Sequence, residues 1–386
     1  MKPANRVFTS LGTTIFEVMS RLAAEHGAIN LGQGFPDVDG PEDLRAAAAE
    51  AVMSGPNQYP SMMGIPELRQ AVAAGNKRFY DLDVDWQREV MVTSGATEAL
   101  TDCLLALIEP GDEVVLFEPL YDCYLPIVRL AGGVPKFVRL APPHWRVERA
   151  ALEAAFSDKT KLVVVNNPLN PAGKVYPRQE LEMIAELCVR HDAYAVCDEV
   201  YEHIVFDGDG HIPLMTLPGM RERSLRVGSA GKTFSFTGWK IGYITAAPEL
   251  LAPVAKAHQF MTFTTTPNLQ KAVAMGLAKG DDYYAALSGD LEKKRDRLAN
   301  GLRGIGIDVA HCAGTYFITA DIGNLGLGDD VEACRRLTVE AGVTAVPVSA
   351  FYENDPPKNF VRFCFSKRDE ILDEAVARLA AYLKNR

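Results

Sequence analysis

The polar and apolar positions of the chain follow two alternating patterns from about residue 66 to residue 280. Short apolar runs of the length of buried strands alternate with stretches of helical periodicity. This alternation is typical of an α/β fold in which helices cover a mostly parallel sheet. It predicts seven strands, at about 90–93, 113–117, 135–138, 161–165, 193–197, 225–227 and 241–245, and helices that include 97–108 and 178–191.

The pattern changes after about residue 285. It predicts a charged helix over 291–303, strands near 316–321 and 359–366, a helix between them at 331–341, and a closing amphipathic helix over 369–383. We interpret this region as a smaller α/β domain that the N-terminal segment joins. The sequence therefore predicts a large domain over 45–284 and a small domain formed by 1–44 and 285–386.

Charge and composition disfavour several classes of protein. The formal net charge of −10 offers no basic surface for nucleic acid or an anionic membrane. No apolar run approaches the ~18 residues of a membrane span, so we expect a cytoplasmic enzyme. The seven cysteines show no CxxC spacing and the seven histidines no HExxH pattern. We therefore expect reduced, buried thiols and no metal site.

The segment 229–240 places one amine, that of Lys232, among small and apolar residues, with the cation of Lys240 eight positions later. Burial and a neighbouring cation both lower the pKa of a lysine, and a deprotonated amine can form a Schiff base with a carbonyl. A single lysine in a turn of this composition is more often solvated and idle. Other residues of the chain are needed to distinguish a reactive Lys232 from a solvated one.

Polar residues follow two of the predicted strands at the end where open α/β sheets bind ligands. Asp198 comes directly after the strand at 193–197, and Tyr201 lies three residues further on. Asp198 could cap a helix or balance a protonated ring nitrogen, with Tyr201 bonding a ring oxygen. Asn170 lies in a segment with two prolines and a glycine, where it could form a structural turn or aim its amide at a cofactor.

The strand at 90–93 leads through a tight turn at 94–97 into a helix. The first N–H groups of a helix lack partners and, with the helix dipole, attract anions. Many helices begin this way and bind nothing. Together with Ser229 and Lys240, however, the turn would form a complete phosphate-binding site.

Arg362 lies among apolar residues of the strand predicted at 359–366. An unpaired buried guanidinium is costly, so it needs an anion. One alternative is a structural aspartate or glutamate, and the other is a substrate carboxylate held by both prongs of the guanidinium.

Taken together, these residues resemble the fold-type I, class I/II aminotransferases that use pyridoxal phosphate. The resemblance runs from about residue 29 to the C-terminus. It depends on an ordered set of motifs: Asn-Leu-Gly-Gln-Gly-Phe-Pro-Asp at 30–37, Asn-Gln-Tyr-Pro at 57–60, Gly-Ala-Thr at 95–97, Asn-Pro at 170–171, Asp-Glu-Val-Tyr at 198–201, Ser-Ala-Gly-Lys at 229–232, and Arg362.

The resemblance implies a role for each position. Lys232 would bind the cofactor covalently and later move a proton, while Asp198 would keep the pyridine nitrogen protonated. Asn170 and Tyr201 would bond the ring hydroxyl. Tyr121 would stack on the ring, although it could also be an ordinary core tyrosine.

The resemblance also implies how the phosphate and the substrate are held. Arg362 and the backbone at Gly34 would hold the substrate α-carboxylate. A homodimer is implied as well, because one phosphate ligand would come from the other subunit. The phosphate ligands would be Gly95, Ala96, Thr97, Ser229, Lys240 and the partner's copy of Tyr59.

One departure points to a branch of the family. Many class I members have arginine where this chain has Lys240, and Thr-Gly-Trp-Lys at 237–240 is similar to the kynurenine and methionine aminotransferases and the cysteine-conjugate β-lyases. We expect amino transfer from a methionine-, aromatic- or kynurenine-like L-amino acid to a 2-oxo acid. The alternatives are β-elimination from a cysteine conjugate and transamination of a succinylated diaminopimelate.

The wall of the substrate pocket is expected near Ile15, Met62, Tyr121 and Phe260, with a contribution from a second subunit.

Overall fold

The computed structural model describes residues 2–208 and 210–385. Thirteen strands are present in these residues: β1 Ile29–Asn30, β2 Val90–Thr93, β3 Glu113–Glu118, β4 Val134–Arg139, β5 Thr160–Asn166, β6 Tyr194–Asp198, β7 Ser224–Ser229, β8 Gly242–Ala246, β9 Asp308–Val309, β10 Phe317–Asp321, β11 Val343–Thr344, β12 Val346–Pro347 and β13 Phe360–Cys364.

The α-helices of the described residues surround these strands. They are α1 Arg6–Ser10, α2 Ile15–His26, α3 Glu42–Ser54, α4 Pro66–Tyr80, α5 Ala96–Leu107, α6 Tyr124–Leu130, α7 Arg149–Ala155, α8 Arg178–Arg190, α9 Ala230–Thr233, α10 Pro248–Met261, α11 Pro267–Leu277, α12 Asp281–Gly304, α13 Asp330–Val339 and α14 Asp369–Lys384.

A seven-stranded sheet in the order β2-β8-β7-β6-β5-β3-β4 forms the centre of the larger part. All neighbouring pairs are parallel except those of β8, which runs antiparallel to both β2 and β7. Each strand begins and ends within two residues of its predicted position. The predicted α/β class and the mostly parallel sheet are therefore confirmed.

Alternate side chains of the strands enter two separate cores. Val114, Leu116 and Val164 pack with α5 and α10 on one face of the sheet. Val115 and Val163 pack with α8 on the other face. Both faces are covered, which explains why the strands are apolar throughout instead of alternating with polar residues.

A four-stranded antiparallel sheet in the order β12-β13-β10-β9 lies in the C-terminal part. It packs with α12, α13 and α14, and β1 of the N-terminal segment pairs with β11 in a separate two-stranded sheet. Helix α12 begins at Asp281, ten residues before the predicted start, because acidic residues in its first turn favour a helix N-terminus there. The predicted boundary at 284/285 falls inside this helix, and the division into domains stays a prediction.

The seven cysteines form no disulfide. Among residues 2–208 and 210–385, no helix has the length and apolar character that crossing a membrane requires.

Candidate active site

The predicted site residues meet at the carboxyl ends of β5, β6 and β7, around a cavity of about 460 Å³. This is the edge where open α/β sheets bind ligands. Twelve of the thirteen predicted residues line the cavity: Gly34, Gly95, Ala96, Thr97, Tyr121, Asn170, Asp198, Tyr201, Ser229, Lys232, Lys240 and Arg362.

Lys232 lies in the short helix α9, which begins directly after β7. Its Nζ donates a hydrogen bond to the hydroxyl of Tyr316 at 3.0 Å and lies 5.6 Å from the ring centroids of Tyr201 and Tyr316. Burial lowers the pKa of Lys232 to about 8, opposed by Asp198 and assisted by Arg362 and Lys240. About a tenth of this amine is therefore deprotonated at pH 7, far more than for a lysine of ordinary pKa, and the deprotonated form is the nucleophile.

Asp198 ends β6 at the floor of the cavity. Its Oδ2 accepts a hydrogen bond of 2.5 Å from the hydroxyl of Tyr124, and its Oδ1 lies 3.4 Å from the backbone nitrogen of Val200. The residues that follow form a turn, so Asp198 does not cap a helix. Burial raises the pKa of Asp198 to about 6, while Tyr124 and the charge of Lys232 oppose this rise. A cationic N–H in the cavity would stabilise the ionised carboxylate in the same way.

The turn at 94–97 and Lys240 together form a site for an anion. Gly95 has a φ of +85°, and a Cβ added to it would lie 3.0 Å from Cε and 3.2 Å from Nζ of Lys240. The ammonium group therefore lies against the N-terminus of α5, whose first N–H groups have no helical partner. Trp239, the residue before this lysine, stacks on Phe236 with 3.8 Å between the ring centroids.

Arg362 projects from β13 and is 1% exposed. Its Nη1 donates to Oδ1 of Asn170 at 2.8 Å and its Nη2 to the carbonyl of Gly32 at 2.6 Å. Nε has no hydrogen-bond partner, and the guanidinium lies 4.0 Å from the ring centroid of Phe317. No carboxylate forms a salt bridge with it within residues 2–208 and 210–385. The alternative of a structural acid partner is therefore wrong for these residues.

Tyr316 connects the lysine to the N-terminal segment. Its hydroxyl accepts the hydrogen bond from Lys232 and donates one of 2.7 Å to the carbonyl of Gly34. A Cβ at Gly34 would lie 2.7 Å from Cζ of Phe317, so a larger residue would displace this ring. Glycine is required here for the close approach of the chain to the cavity.

Tyr59 is the one predicted site residue that does not line the cavity. Its side chain is 83% exposed and packs edge-to-face on Phe263, with 5.5 Å between the ring centroids. The prediction assigned it to the site of a second subunit, and its exposed position leaves that assignment a prediction.

Comparison with known proteins gives a consistent result. Residues 26–379 match the model of the family described as aminotransferase class I and II. The chain belongs to this family. It is 42% identical over 369 residues to the methionine aminotransferase of Escherichia coli, covering 96% of each chain. It is 44% identical over 379 residues to a probable N-succinyldiaminopimelate aminotransferase of Mycobacterium tuberculosis, covering 95% of this chain and 96% of the relative.

Comparison with solved structures gives the same family. A crystal structure from Escherichia coli, described as identifying a methionine aminotransferase function, superposes with a TM-score of 0.96 at 41% identity, covering 99% of this chain and 100% of the other. The predicted family and enzyme class are thus confirmed. The family is known to use pyridoxal phosphate.

The cavity of this aminotransferase fits that cofactor in its donor set. The turn at 94–97 with Lys240 offers an anion site for a phosphate, Asp198 offers a carboxylate for a cationic ring nitrogen, and Lys232 offers an amine of lowered pKa. A side chain at Gly95 would be strained by its positive φ and would crowd the side chain of Lys240.

Sequence reasoning missed Asn166, which lines the cavity of the aminotransferase, and Tyr124 and Tyr316, which bond the cavity residues Asp198 and Lys232. Tyr124 and Tyr316 are separated from their partners by 74 and 84 residues, and no local pattern relates them. Asn166 was detectable, because it ends β5 just as Asp198 ends β6. Its side chain accepts from the backbone nitrogen of Asn170 at 2.9 Å.

The pocket wall was predicted near Ile15, Met62, Tyr121 and Phe260 and from a second subunit, and its composition stays a prediction beyond the lining that this chain provides. Tyr121 lines the cavity, and the neighbours of Ile15, namely Thr14 and Phe16, line it in place of Ile15 itself. Met62 and Phe260 do not line it, and Phe260 is 82% exposed.

Proposed function

We propose that this aminotransferase binds pyridoxal phosphate in the cavity described above. We further propose that it moves the amino group of an L-amino acid with an uncharged, apolar side chain, such as methionine or an aromatic amino acid, to a 2-oxo acid. The observation that carries this proposal is a buried arginine without a carboxylate partner, next to a buried lysine of lowered pKa.

The residues of the cavity divide into groups that would each hold one part of the cofactor. The turn at 94–97, Ser229 and Lys240 would bind the phosphate, and Asp198 would accept a hydrogen bond from the ring nitrogen. Asn170 and Tyr201 would bond the ring hydroxyl, and Tyr121 would pack on the ring. When bound, pyridoxal phosphate supplies a carbonyl that takes up the amino group and a ring that withdraws electrons from the substrate Cα.

Lys232 is the base that would move the proton at the substrate Cα. Its amine is held by the hydroxyl of Tyr316, and burial lowers its pKa to about 8, which increases the deprotonated fraction at neutral pH. Because Tyr316 also donates to the carbonyl of Gly34, the orientation of its hydroxyl is fixed, with its lone pair towards the lysine. Lys232 therefore has a defined position from which to remove and return a proton.

Arg362 would hold the substrate α-carboxylate. Both terminal nitrogens of the guanidinium are bonded to neutral acceptors, and Asp122, which lines the same cavity and interacts with this charge, forms no hydrogen bond with it in the described residues. A substrate carboxylate in the cavity would balance this charge and orient the amino acid towards Lys232.

The side-chain part of the cavity favours an uncharged substrate. Phe16, Phe35 and Phe317 are among its lining residues, and its cations are Lys232, Lys240 and Arg362. Each of these cations already has a proposed partner, so none remains for a second substrate carboxylate in the part of the cavity that this chain forms. This favours a methionine-like or aromatic substrate over a succinylated diaminopimelate, which carries additional carboxylates.

A homodimer would complete the site. Tyr59 and Phe260 are 83% and 82% exposed, and Tyr59 packs on Phe263, which is 41% exposed. Exposed apolar surface of this kind is typical of protein interfaces. Sedimentation of the holoenzyme would test the dimer, and cell fractionation would test the predicted cytoplasmic location.

A half-reaction experiment tests the substrate class. The absorption of the bound cofactor is followed as single amino acids are added to the holoenzyme without an acceptor. We expect methionine and the aromatic amino acids to convert the spectrum at lower concentrations than N-succinyl-diaminopimelate or aspartate. The reverse order would contradict the proposed substrate class.

Two controls belong to the same experiment. Lys232→Ala should abolish turnover, and sustained multiple turnovers by this variant would disprove the assignment of the base. A cysteine conjugate that yields pyruvate and ammonia as the dominant reaction, without an oxo acid, would indicate a β-lyase instead.

A further inference from the structure

A buried cluster of ionisable groups lies behind the anion-binding turn. Glu98 and Asp102 are one helical turn apart on α5, and His258 faces them from α10. Nδ1 of His258 lies 2.7 Å from Oε1 of Glu98 and 3.6 Å from Oδ2 of Asp102. His258 and Asp102 are both 0% exposed, and neither oxygen of Asp102 receives a hydrogen bond in the described residues. None of the proposed cofactor or substrate contacts uses this cluster.

The partners of His258 indicate a doubly protonated ring. Nε2 lies 2.9 Å from the carbonyl oxygen of Met62, which can only accept, so Nε2 carries a hydrogen. Nδ1 faces two carboxylates, which only accept when ionised. Burial by itself would lower the pKa of His258, but the ion pair with Asp102 and the hydrogen bond and charge of Glu98 raise it to about 9. The imidazolium is therefore the form expected at neutral pH.

The same three side chains are also common metal ligands, and their spacing helps to distinguish the two cases. Around a tetrahedral zinc ion with bonds of ~2.0 Å, neighbouring ligand atoms are separated by about 3.3 Å. The 2.7 Å between His258 and Glu98 is shorter and is typical of a charge-assisted hydrogen bond. A proton between these groups therefore fits the geometry better than a metal ion.

The cluster connects two segments that are both proposed to hold the cofactor phosphate. Oε2 of Glu98 accepts a hydrogen bond from the backbone nitrogen of Ser94, the first residue of the anion-binding turn. Met62 belongs to the loop between α3 and α4, which also carries the exposed Tyr59. His258 bonds Glu98 with one nitrogen and Met62 with the other, so one side chain holds both segments.

We propose that His258 is a positioning residue for the cofactor phosphate. By binding Glu98 and the carbonyl of Met62 at once, it fixes the anion-binding turn of its own subunit and the loop that presents Tyr59 to the partner. The inference rests on the proposed function, because the turn is taken to hold the phosphate of pyridoxal phosphate. The imidazolium does not touch the cofactor and acts only through these two segments.

The test compares the affinities of the protein for pyridoxal phosphate and for pyridoxal, which lacks the phosphate. In His258→Gln we expect the affinity for pyridoxal phosphate to fall about tenfold, because a charge-assisted hydrogen bond to the turn is lost. The affinity for pyridoxal should change less than about twofold. Equal losses for both ligands, or no loss for either, would overturn the positioning role.

His203→Gln is the matched control. His203 is also a buried histidine, but it packs on Phe79 and Tyr284, away from the cavity. We expect it to leave the ratio of the two affinities unchanged, and the same selective loss in this variant would overturn the proposal. The single variant His258→Gln leaves the carboxylates of Glu98 and Asp102 without their counter-ion and could therefore fail to fold. In that case, the double variant His258→Gln with Asp102→Asn removes one of the two charges. The double variant must then show the selective loss.

A pH series provides a second readout. The advantage of the wild type over His258→Gln in binding pyridoxal phosphate should disappear as pH rises through about 9, where the imidazolium loses its proton. Asp102→Asn should move this loss to lower pH, because a carboxylate that raises the pKa of His258 is removed. A ratio that is independent of pH, or one equivalent of zinc that purifies with the wild type and is absent from His258→Gln, would overturn the proposal.

The outcomes separate this inference from the proposed function. If the wild type binds pyridoxal phosphate no more tightly than pyridoxal, the proposed phosphate site fails, and the inference fails with it. If the wild type prefers the phosphate form and His258→Gln keeps the full preference, only the role of His258 fails.

Discussion

Two buried arginines, Arg226 and Arg362, have opposite environments in this aminotransferase. Arg226 on β7 bonds the carboxylates of Glu199 and Glu202 and the side-chain oxygen of Asn76. Arg362 bonds only neutral oxygens, and its Nε has no partner. The two side chains are 5% and 1% exposed, so burial does not explain the difference. The acids around Arg226 satisfy it within the chain, whereas Arg362 still requires an anion.

The two arginines illustrate two uses of a buried charge, one that stabilises the folded chain and one that binds a ligand. A buried ion pair that is complete in the folded chain holds elements together, here β7 and the turn after β6, and the hydrogen bond to Asn76 adds α4. A buried cation without an acid costs free energy, and the chain retains it only where a ligand supplies the missing charge. The variants below test this distinction.

The largest effect on stability is expected for Arg226→Met. Removing this cation leaves Glu199 and Glu202 buried without a counter-charge, which costs about 3–5 kcal/mol of the free energy of unfolding. Arg226 now holds the pKa of Glu202 at about 2, although burial by itself would raise it. Denaturant unfolding of the cofactor-free protein measures the loss. Arg226→Met combined with Glu202→Gln should recover part of it, and an undiminished stability of the single variant would contradict the structural role.

Arg362→Met should have the opposite profile. We expect kcat/KM for the amino acid to fall about a hundredfold or more, because the substrate carboxylate loses a charged, two-pronged partner. The free energy of unfolding of the cofactor-free protein should be unchanged or higher, since an unpaired buried cation has been removed. Steady-state kinetics and denaturant unfolding measure the two quantities. A large loss of stability would place Arg362 in the same class as Arg226.

Lys232→Met should stabilise the cofactor-free protein below pH 8. The folded-state pKa of Lys232 is about 8, below its ordinary value of 10.5, so the unfolded chain binds more protons between these values. The wild type therefore gains stability as pH rises from about 8 to about 10.5. Below pH 8, the variant should have an extra advantage of ~3 kcal/mol that disappears above pH 10.5. Lys256→Met, on the exposed side of α10, is the control for the loss of a lysine. If the difference in unfolding free energy between Lys232→Met and the wild type does not change with pH, the prediction is contradicted.

Tyr124→Phe should have the smallest effect. The hydroxyl of Tyr124 stabilises the ionised form of Asp198, so its removal should raise the pKa of Asp198 further above 6. The acid limb of kcat/KM would then move to higher pH, and cofactor affinity would fall by about tenfold. Tyr352→Phe, which removes a buried hydroxyl bonded to the carbonyl of Leu140, is the control. An equal shift in both variants would rule out a specific effect on Asp198.

The sequence predicted the large sheet well because its strands are apolar throughout and are separated by regular helices. The same reasoning located Lys232, Asp198 and Arg362, since each follows or interrupts an apolar run at a detectable position. It could not choose between their roles. The choice for Arg362 required the positions of Asn170 and Gly32, which depend on contacts across 192 and 330 residues.

The contacts that could not be predicted from the sequence share one physical origin. The cluster of Glu98, Asp102 and His258 brings α5 and α10 together across 160 residues, and no periodicity relates these positions. The hydroxyl of Tyr316, the residue directly before β10, reaches Lys232 in α9, which follows a strand of the other sheet. Such contacts arise from the packing of whole elements against one another. Local propensity contains no information about them.

The stack of Trp239 on Phe236 makes the proposed phosphate site optically distinguishable. The chain has three tryptophans, and the other two lie elsewhere: Trp145 is 1% exposed beside Phe360, and Trp86 lies under Arg69. Only Trp239 is adjacent in sequence to a proposed phosphate ligand. Its fluorescence should therefore change when a ligand contacts Lys240, so the protein contains its own intrinsic probe, and cofactor loading can be followed without an attached dye.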